Sequence, residues 1–529
     1  MPSTYRDPPP KPSHGTSPAD RQSFVTAPSL RHVTQIVILL WISAVAARLV
    51  LINQPFVDRW SWRQSDVAAI ARNFCENGFR FAYPQIDWAG SAPGYVGTEF
   101  PILPFLAAIC YKCVGAHEWI GRSESVIFFA VSLPFFFLLV RETWPGLLGH
   151  DPSAGCRCHV AALWATFFYA FAPGNVFAGR SFMPDVPSLS LALIGLYFFL
   201  RWINDGKSRA FFLAAITISL SILTKPTSVV IAAPLLFLVW QKWRWNFAKR
   251  CDLWLFAAIM VLPSVAWYWH AHQIAEKFYP HHFFGEGGIR IENFSWYWGI
   301  ARRTTTSGLT PILSMMALSG LFVAPRSRYL SLFHWWLAGM ILFVIVVGYG
   351  NRHPWYQLPL VPIAAGFAGA ACAFIRSKIS SSRVAILTLS ILLAGSFAAL
   401  ACLYVRPLYE SSAAQLRDAG LELHKITAHD ALIVAADTGD PTIFYYAQRK
   451  GWHFLERDAI YDGNPGDSQR AIVDLEQLRS RGATHLVFTA NTFWWLDYYP
   501  EFAQHLTETA ALMEMNRQFR IYKLNRPRE

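Results

Sequence analysis

From Val33 to Tyr404 the sequence returns repeatedly to apolar runs close to the length that crosses a bilayer. The first, Val33–Ile52, has about the 20 residues a spanning helix needs. It lacks a small-residue cleavage site and ends in Asn53-Gln54-Pro55, so it reads as a retained span rather than a signal peptide. Further runs lie at approximately 123–141, 160–178, 187–202, 210–224, 227–241, 253–270, 309–323, 329–348, 357–375 and 384–404. Charged residues make up only 15% of the chain against 53% hydrophobic, where soluble domains carry about a quarter charged residues. That balance excludes both an ordinary cytosolic enzyme and a disordered chain. Residues 1–32, rich in Pro, Ser and Thr, are the exception and read as a disordered cytoplasmic tail.

Two interruptions matter. Thr224-Lys225-Pro226 divides what would be one long helix, since proline removes a donor and a lysine is costly in lipid. The run 100–114 begins with Pro101 and Pro104 and is short, so it is assigned to the interface. Eleven spans with the N-terminus inside then place Arg141 and Arg157, Arg201 with Lys207 and Arg209, Lys242 to Arg250, Arg326 and Arg328, and Arg376 to Arg383 in inner loops. Every short inner loop is basic, as the positive-inside rule requires. Much of the net charge of +12 is thereby an orientation signal, and a nucleic-acid partner is not expected.

The expected architecture is a polytopic α-helical membrane protein of about eleven spans over residues 33–406, with a long first outer loop at 53–121. A small extracytoplasmic α/β domain follows at 407–529. Ala431–Ala436, Thr484–Thr489 and Phe519–Leu524 read as strands, and Ser468–Arg481 as a helix stopped by Gly482. Cys110 with Cys113 and Cys156 with Cys158 have no second pair nearby and read as incidental thiols. The pair His281-His282 reads as surface rather than ligand.

Ionisable residues gather at the outer ends of the spans. In Asp58-Arg59-Trp60-Ser61-Trp62-Arg63-Gln64-Ser65-Asp66, Asp66 precedes a helical pattern through Phe74. It is open to two uses, as a helix cap or as a carboxylate base. Asp185 opens a later span, again as cap or functional charge. Lys225 and Arg122 each suit snorkelling to headgroups or holding a phosphate. Asn351-Arg352-His353-Pro354-Trp355-Tyr356-Gln357 combines a cation, an imidazole and aromatic rings, which also suit an interfacial belt. Together these residues fit an anionic lipid-linked substrate: cations for phosphate, a greasy groove for the tail, and a carboxylate for an acceptor hydroxyl.

The order of these features resembles the GT-C superfamily of polyprenyl-phosphate-sugar-dependent glycosyltransferases, especially the bacterial branch related to protein O-mannosyltransferases and the aminoarabinose transferase of lipid A. Ile70-Ala71-Arg72-Asn73-Phe74 with Gly78, Glu99–Pro104, Arg180–Asp185, Leu223-Thr224-Lys225-Pro226 and the turn His353–Pro362 carry the resemblance over about residues 33–410. It implies an inverting transferase of hexosyl or pentosyl groups in the plasma (inner) membrane. Such an enzyme moves a sugar from a polyprenyl phosphate to a lipid, protein or glycan hydroxyl of the cell envelope, with membrane lipids around it and the site on the outer face. The family's catalytic acidic pair would fall on Arg63-Gln64 here, so the base is expected at Asp66 or, upstream, at Asp58. The resemblance further implies that Asp185 helps hold the acceptor or the catalytic geometry. Lys225, Arg122 and Arg63 then lie near the donor phosphate, with Glu99, His353 and Tyr356 beside it. No glycine-rich phosphate loop follows a strand, and no cofactor or metal is expected. A non-catalytic transporter or flippase of lipid-linked sugars is the alternative, but the chain shows no internal repeat and its polar residues cluster at one face. An assembly factor acting through the C-terminal domain is a third reading.

Overall fold

The computed structural model describes residues 30–143, 154–284, 289–323, 329, 331–379, 382–457 and 460–525. Most of the polar tail at 1–32, and the inner-loop residues Arg326 and Arg328, lie outside them. Fifteen α-helices precede the C-terminal segment: α1 Leu30–Leu49, α2 Ser61–Glu76, α3 Ile102–Val114, α4 Glu118–Thr143, α5 Ala154–Phe171, α6 Pro173–Ala178, α7 Asp185–Asp205, α8 Ser208–Thr224, α9 Ala232–Trp243, α10 Cys251–Lys277, α11 Phe294–Arg303, α12 Pro311–Leu321, α13 Ser331–Val347, α14 Leu360–Lys378 and α15 Arg383–Val405. Each apolar run falls on one or more of these helices. Among the described residues six are long and apolar enough to cross a membrane, against the eleven spans expected, and five apolar helices are shorter. The shortfall has a local cause: proline, glycine and lysine cut several runs into pieces, as at Phe171-Ala172-Pro173 and Thr224-Lys225-Pro226.

The helices facing the bundle centre, α7 and α14, are buried along most of their length, while α1, α10 and α15 present apolar side chains outward. Trp254, Leu262, Trp269, Leu387 and Leu392 are all more than half exposed. An outward apolar surface of this extent is stable only against lipid. The protein is an integral membrane protein.

Beyond α15 lie α16 Ala414–Ile426, α17 Thr442–Ala447 and α18 Ser468–Ser480, with seven strands among the described residues: β1 Leu432–Ala436, β2 Lys450–His453, β3 Glu456–Arg457, β4 Ile460–Tyr461, β5 His485–Thr489, β6 Ala510–Met515 and β7 Phe519–Leu524. Five form a mixed sheet in the order β2-β1-β5-β7-β6, with β2 and β5 parallel to β1 and β7 antiparallel to both β5 and β6. The strands expected at 431–436, 484–489 and 519–524 are β1, β5 and β7, and the expected helix is α18. β2 and β6 had no sequence signal: β2 has only four residues, and β6 leaves most of its side chains exposed at the sheet edge.

The other edge, β2, is closed by the first loop. Gly90 N–H donates to Gly451 O at 2.7 Å, and Gly451 N–H donates to Asp87 O at 3.0 Å. Gly90 sits at φ +58°, and a Cβ there would lie 1.9 Å from the Trp452 ring, so glycine is required at this approach. Asp87 is itself held by the Arg72 guanidinium and by Asn73 Nδ2 at 2.9 Å, which ties this closure to α2.

Candidate active site

Helix α2 begins at Ser61, so Asp66 lies in its second turn and does not open the helix as the sequence pattern implied. Nor does α2 lie free on a surface. Ser61 and Arg63 through Phe74 are buried between α3 and α17. Ser61 Oγ donates to Asp440 Oδ2 at 2.7 Å, and Ser65 Oγ lies 3.0 Å from Thr442 Oγ1. The first turn, unsupported by a capping side chain at Trp60, is thus fixed by the C-terminal segment.

Asp66 is 2% exposed. Trp88 Nε1 donates to its Oδ1 at 3.2 Å, and Arg63 Nη1 stands 3.6 Å from Oδ2. Burial pushes the carboxyl up to about 6; the adjacent Arg63 guanidinium and the indole donor offset part of the rise. A carboxylate of that basicity is ionised at neutral pH and is a stronger proton acceptor than an ordinary aspartate.

From Arg63 a chain of charges runs into the bundle. One nitrogen, Nη2, donates to both Glu99 oxygens at 2.8 Å. Lys225 Nζ donates to Glu99 Oε1 at 3.1 Å and lies 3.5 Å from Asp185 Oδ1. These two cations hold the Glu99 carboxyl down at about 2, against the upward pull of burial. Pro226 forces the preceding residue out of the helical region, and Lys225 accordingly adopts φ −151°, ψ 111°, at the end of α8. The helix break read in the sequence is what places the lysine. Its ammonium lies 5.1 Å from the Tyr356 ring centroid. Asp185 Oδ2 is buried with no hydrogen-bond partner among the described residues.

All of these groups but Asp185, which stands behind Lys225, line a cavity of about 770 Å³. Arg63, Asp66, Glu99, Lys225, His353 and Tyr356 border it, together with Trp88, His282, Arg352, His453 and Tyr461. His353 stacks on Trp355 with ring centroids 4.5 Å apart and planes at 6°, and burial with the neighbouring Arg352 pushes its imidazole down to about 3. His282, expected at the surface with His281, instead lines the cavity. Phe284 N–H donates to Gly97 O at 2.7 Å and Gly97 N–H to His282 O at 3.0 Å, drawing this strip against the first loop. Burial leaves the His282 imidazole at about 4.

Asp58 and Arg122 lie elsewhere. Asp58 is fully buried and accepts from Gln64 Nε2 at 2.7 Å, Arg180 Nη2 at 3.0 Å, Arg122 Nη2 at 3.1 Å and Trp60 N–H at 3.1 Å. Arg122 also donates to the carbonyls of Ile52, Gln54 and Pro55, and lies over the Phe56 ring. With its oxygens engaged four times, Asp58 pins the start of the first loop to α4 and to the Arg180 turn, and neither it nor Arg122 borders the cavity.

Sequence reasoning missed Trp88, His453 and Asp437. Trp88 sits in a loop without periodicity. His453 lies on the short strand β2, where Nδ1 is 2.8 and 2.9 Å from the two oxygens of Asp437. Among the described residues no group of three or more His, Cys, Asp and Glu has the arrangement of a metal site.

Residues 98–269 match the family model described as dolichyl-phosphate-mannose-protein mannosyltransferase. No curated protein matches the chain by sequence. Among solved structures, the ArnT of Cupriavidus metallidurans bound to undecaprenyl phosphate superposes with a TM-score of 0.61 at 15% identity, over 93% of this chain and 98% of that one. The apo oligosaccharyltransferase of Archaeoglobus fulgidus gives 0.55 at 13% identity, over 92% and 73%. The arabinofuranosyltransferase AftD from Mycobacteria gives 0.51 at 13%, over 94% of this chain and 40% of that one. The chain therefore has the fold of the GT-C glycosyltransferases, set in a membrane, and resembles their polyprenyl-phosphate-dependent members.

Proposed function

We propose that this protein is an inverting glycosyltransferase that moves a sugar from a polyprenyl phosphate to an acceptor hydroxyl at the extracytoplasmic face of the plasma (inner) membrane. The observation that carries the reading is the placement of a basic, buried Asp66 in one cavity with Lys225, Arg63 and Arg352. Beside it, a second cavity of about 400 Å³ is lined almost wholly by apolar side chains of α11 to α14, among them Leu318, Leu337, Met340, Ile341 and Phe367. The two run along the same helix: Phe343 and Val347 border the first, and Val344 and Ile345 the second. A prenyl chain in the apolar cavity brings its phosphate to the cationic one.

In this mechanism the acceptor oxygen attacks the anomeric carbon while Asp66 takes its proton. The bond from anomeric carbon to phosphate oxygen breaks, and the phosphate leaves with the electron pair. Lys225 and Arg63, with Arg352 beyond them, offset the charge that grows on the leaving group. Glu99 and Asp185 keep the two nearer cations in place and are exchanged in part for phosphate when the donor arrives. Tyr356 backs the Lys225 ammonium, and His353 extends the aromatic floor. Asp58 and Arg122 act by holding the first loop. Loops between the basic ends of the spans then face the cytoplasm, and the C-terminal segment the opposite side.

The test uses the full-length protein in lipid nanodiscs, with the lipid-linked sugar that accumulates in cells lacking the protein as donor. Asp66→Asn is expected to abolish transfer while undecaprenyl phosphate still binds. Normal transfer by that variant overturns the assignment, and normal transfer by both Asp66→Asn and Asp58→Asn overturns the mechanism.

A further inference from the structure

Asp66 stands between two unlike flanks. On one side Arg63, Glu99 and Lys225 form the charged chain described above. On the other, Trp88 links Asp66 to the C-terminal segment: its indole donates to the carboxylate, and its ring lies 5.3 Å from that of His453 and 5.2 Å from that of His282. His453 is 4% exposed and packs against Phe444 on its far side, with centroids 5.4 Å apart.

The imidazole is oriented by construction. Asp437 takes Nδ1, and its Oδ1 is fixed in turn by Gly439 N–H at 3.0 Å. A carboxylate on Nδ1 keeps the proton on that nitrogen, which leaves Nε2 as the second polar atom of the ring. Nε2 has no hydrogen-bond partner among the described residues, and His453 borders the cavity. The other C-terminal residues on that border are Gly439, Pro441, Ile460 and Tyr461. None of them is a lysine or arginine, and the buried carboxylate of Asp437 stands behind His453.

We infer that Trp88, His453 and Tyr461 form an acceptor subsite for an uncharged sugar, with His453, oriented by Asp437, binding an acceptor hydroxyl next to the one that Asp66 deprotonates. The inference rests on the reading of Asp66 as the acceptor's base. An indole face and a tyrosine ring suit the apolar C–H face of a pyranose or furanose ring, and a single oriented imidazole suits its hydroxyls. An anionic acceptor would meet Asp66, with Asp437 behind His453, and no lysine or arginine of the C-terminal segment borders the cavity to offset them.

The experiment measures saturation-transfer NMR on full-length protein in nanodiscs. The probes are neutral methyl glycosides of glucose, mannose, galactose and arabinose, set against methyl glucuronide and inorganic phosphate. At least one neutral glycoside is expected to bind. Its affinity should fall about tenfold in His453→Gln and in Tyr461→Ala, the loss of about one hydrogen bond or ring contact. Tyr461 is only half-buried, so the second variant does not depend on tolerance of a core change. Undecaprenyl phosphate binding should be the same in both variants as in the unaltered protein. Glucuronide or phosphate binding on this flank in preference to the glycosides, or glycoside binding indifferent to both substitutions, overturns the inference. Those outcomes leave the Asp66 assignment standing if Asp66→Asn still abolishes transfer.

Discussion

Replacing Trp88 with Phe removes the indole N–H that reaches Asp66 and leaves a smaller aromatic ring in its place. The lost interaction is the Nε1–H to Oδ1 hydrogen bond at 3.2 Å, made to a buried carboxylate. Hydrogen bonds to charged groups contribute about 1.5–3 kcal/mol, and this one is at the long end of the range, so the lower figure applies. About 1.4 kcal/mol corresponds to one pH unit. Burial already holds the Asp66 carboxyl at about 6; the variant should hold it near ~7. Because the base acts when ionised, the rate rises with pH through this value. At pH ~6 the ionised fraction falls from about one half to about a tenth, a roughly fivefold slower transfer, while at pH ~8 the two proteins differ by less than about a tenth. The assay is single-turnover transfer from the lipid-linked donor at saturating acceptor between pH 5 and 9, so that a weaker acceptor contact does not enter the rate, with circular dichroism confirming the fold. A variant slowed equally at every pH, or one whose acidic limb does not move, refutes the argument that the indole acts through Asp66.

Other expectations are independent of that one. Lys225→Met leaves Glu99 and Asp185 without their shared cation; undecaprenyl phosphate affinity should drop by about a hundredfold in a binding assay, the scale of one lost buried charge contact. Asp58→Asn should destabilise the protein by about 3 kcal/mol, because Arg122 and Arg180 lose a buried counter-charge. It should be seen as a lower Tm and yield, with substrate KM values unaltered in the folded fraction. Gly90→Ala brings a Cβ into the Trp452 ring and should release the first loop from β2, read as faster hydrogen exchange at Gly90 and Gly451. His353→Phe should keep the stack on Trp355 and leave the pH profile unchanged, since the imidazole is uncharged above about 3.

What could be read from the sequence followed from strong physical biases. Apolar runs and basic loops are imposed by lipid, so every run proved helical. The break at Thr224-Lys225-Pro226 rests on the chemistry of proline alone, but the choice between a snorkelling lysine and one turned into the cavity is made by Glu99 and Asp185, which the local pattern does not contain. Asp66, Asp185 and Lys225 stand out because charge at a span end is rare enough to notice, Glu99 enters only through the family resemblance, and the structure gathers all four. Helix periodicity misplaced the start of α2, since Ser61, Arg63, Gln64 and Ser65 are polar residues buried by partners that the local pattern does not contain. His453 was illegible for the same reason. Its strand is four residues long, and its carboxylate partner is 16 residues away across a parallel crossover. Arg122 shows the opposite error: a cation at a span end looks free until its backbone acceptors are known.

The bond between Ser61 and Asp440 joins residues 379 positions apart. A ribosome that has finished α2 must therefore make nearly all the rest of the polypeptide before the other wall of the chamber exists. Until then Ser61 Oγ lacks the carboxylate that later fixes it, while Arg63 and Gln64 already have Glu99 and Asp58 within reach. The order of synthesis thereby makes closure of the chamber one of the last events in making the chain.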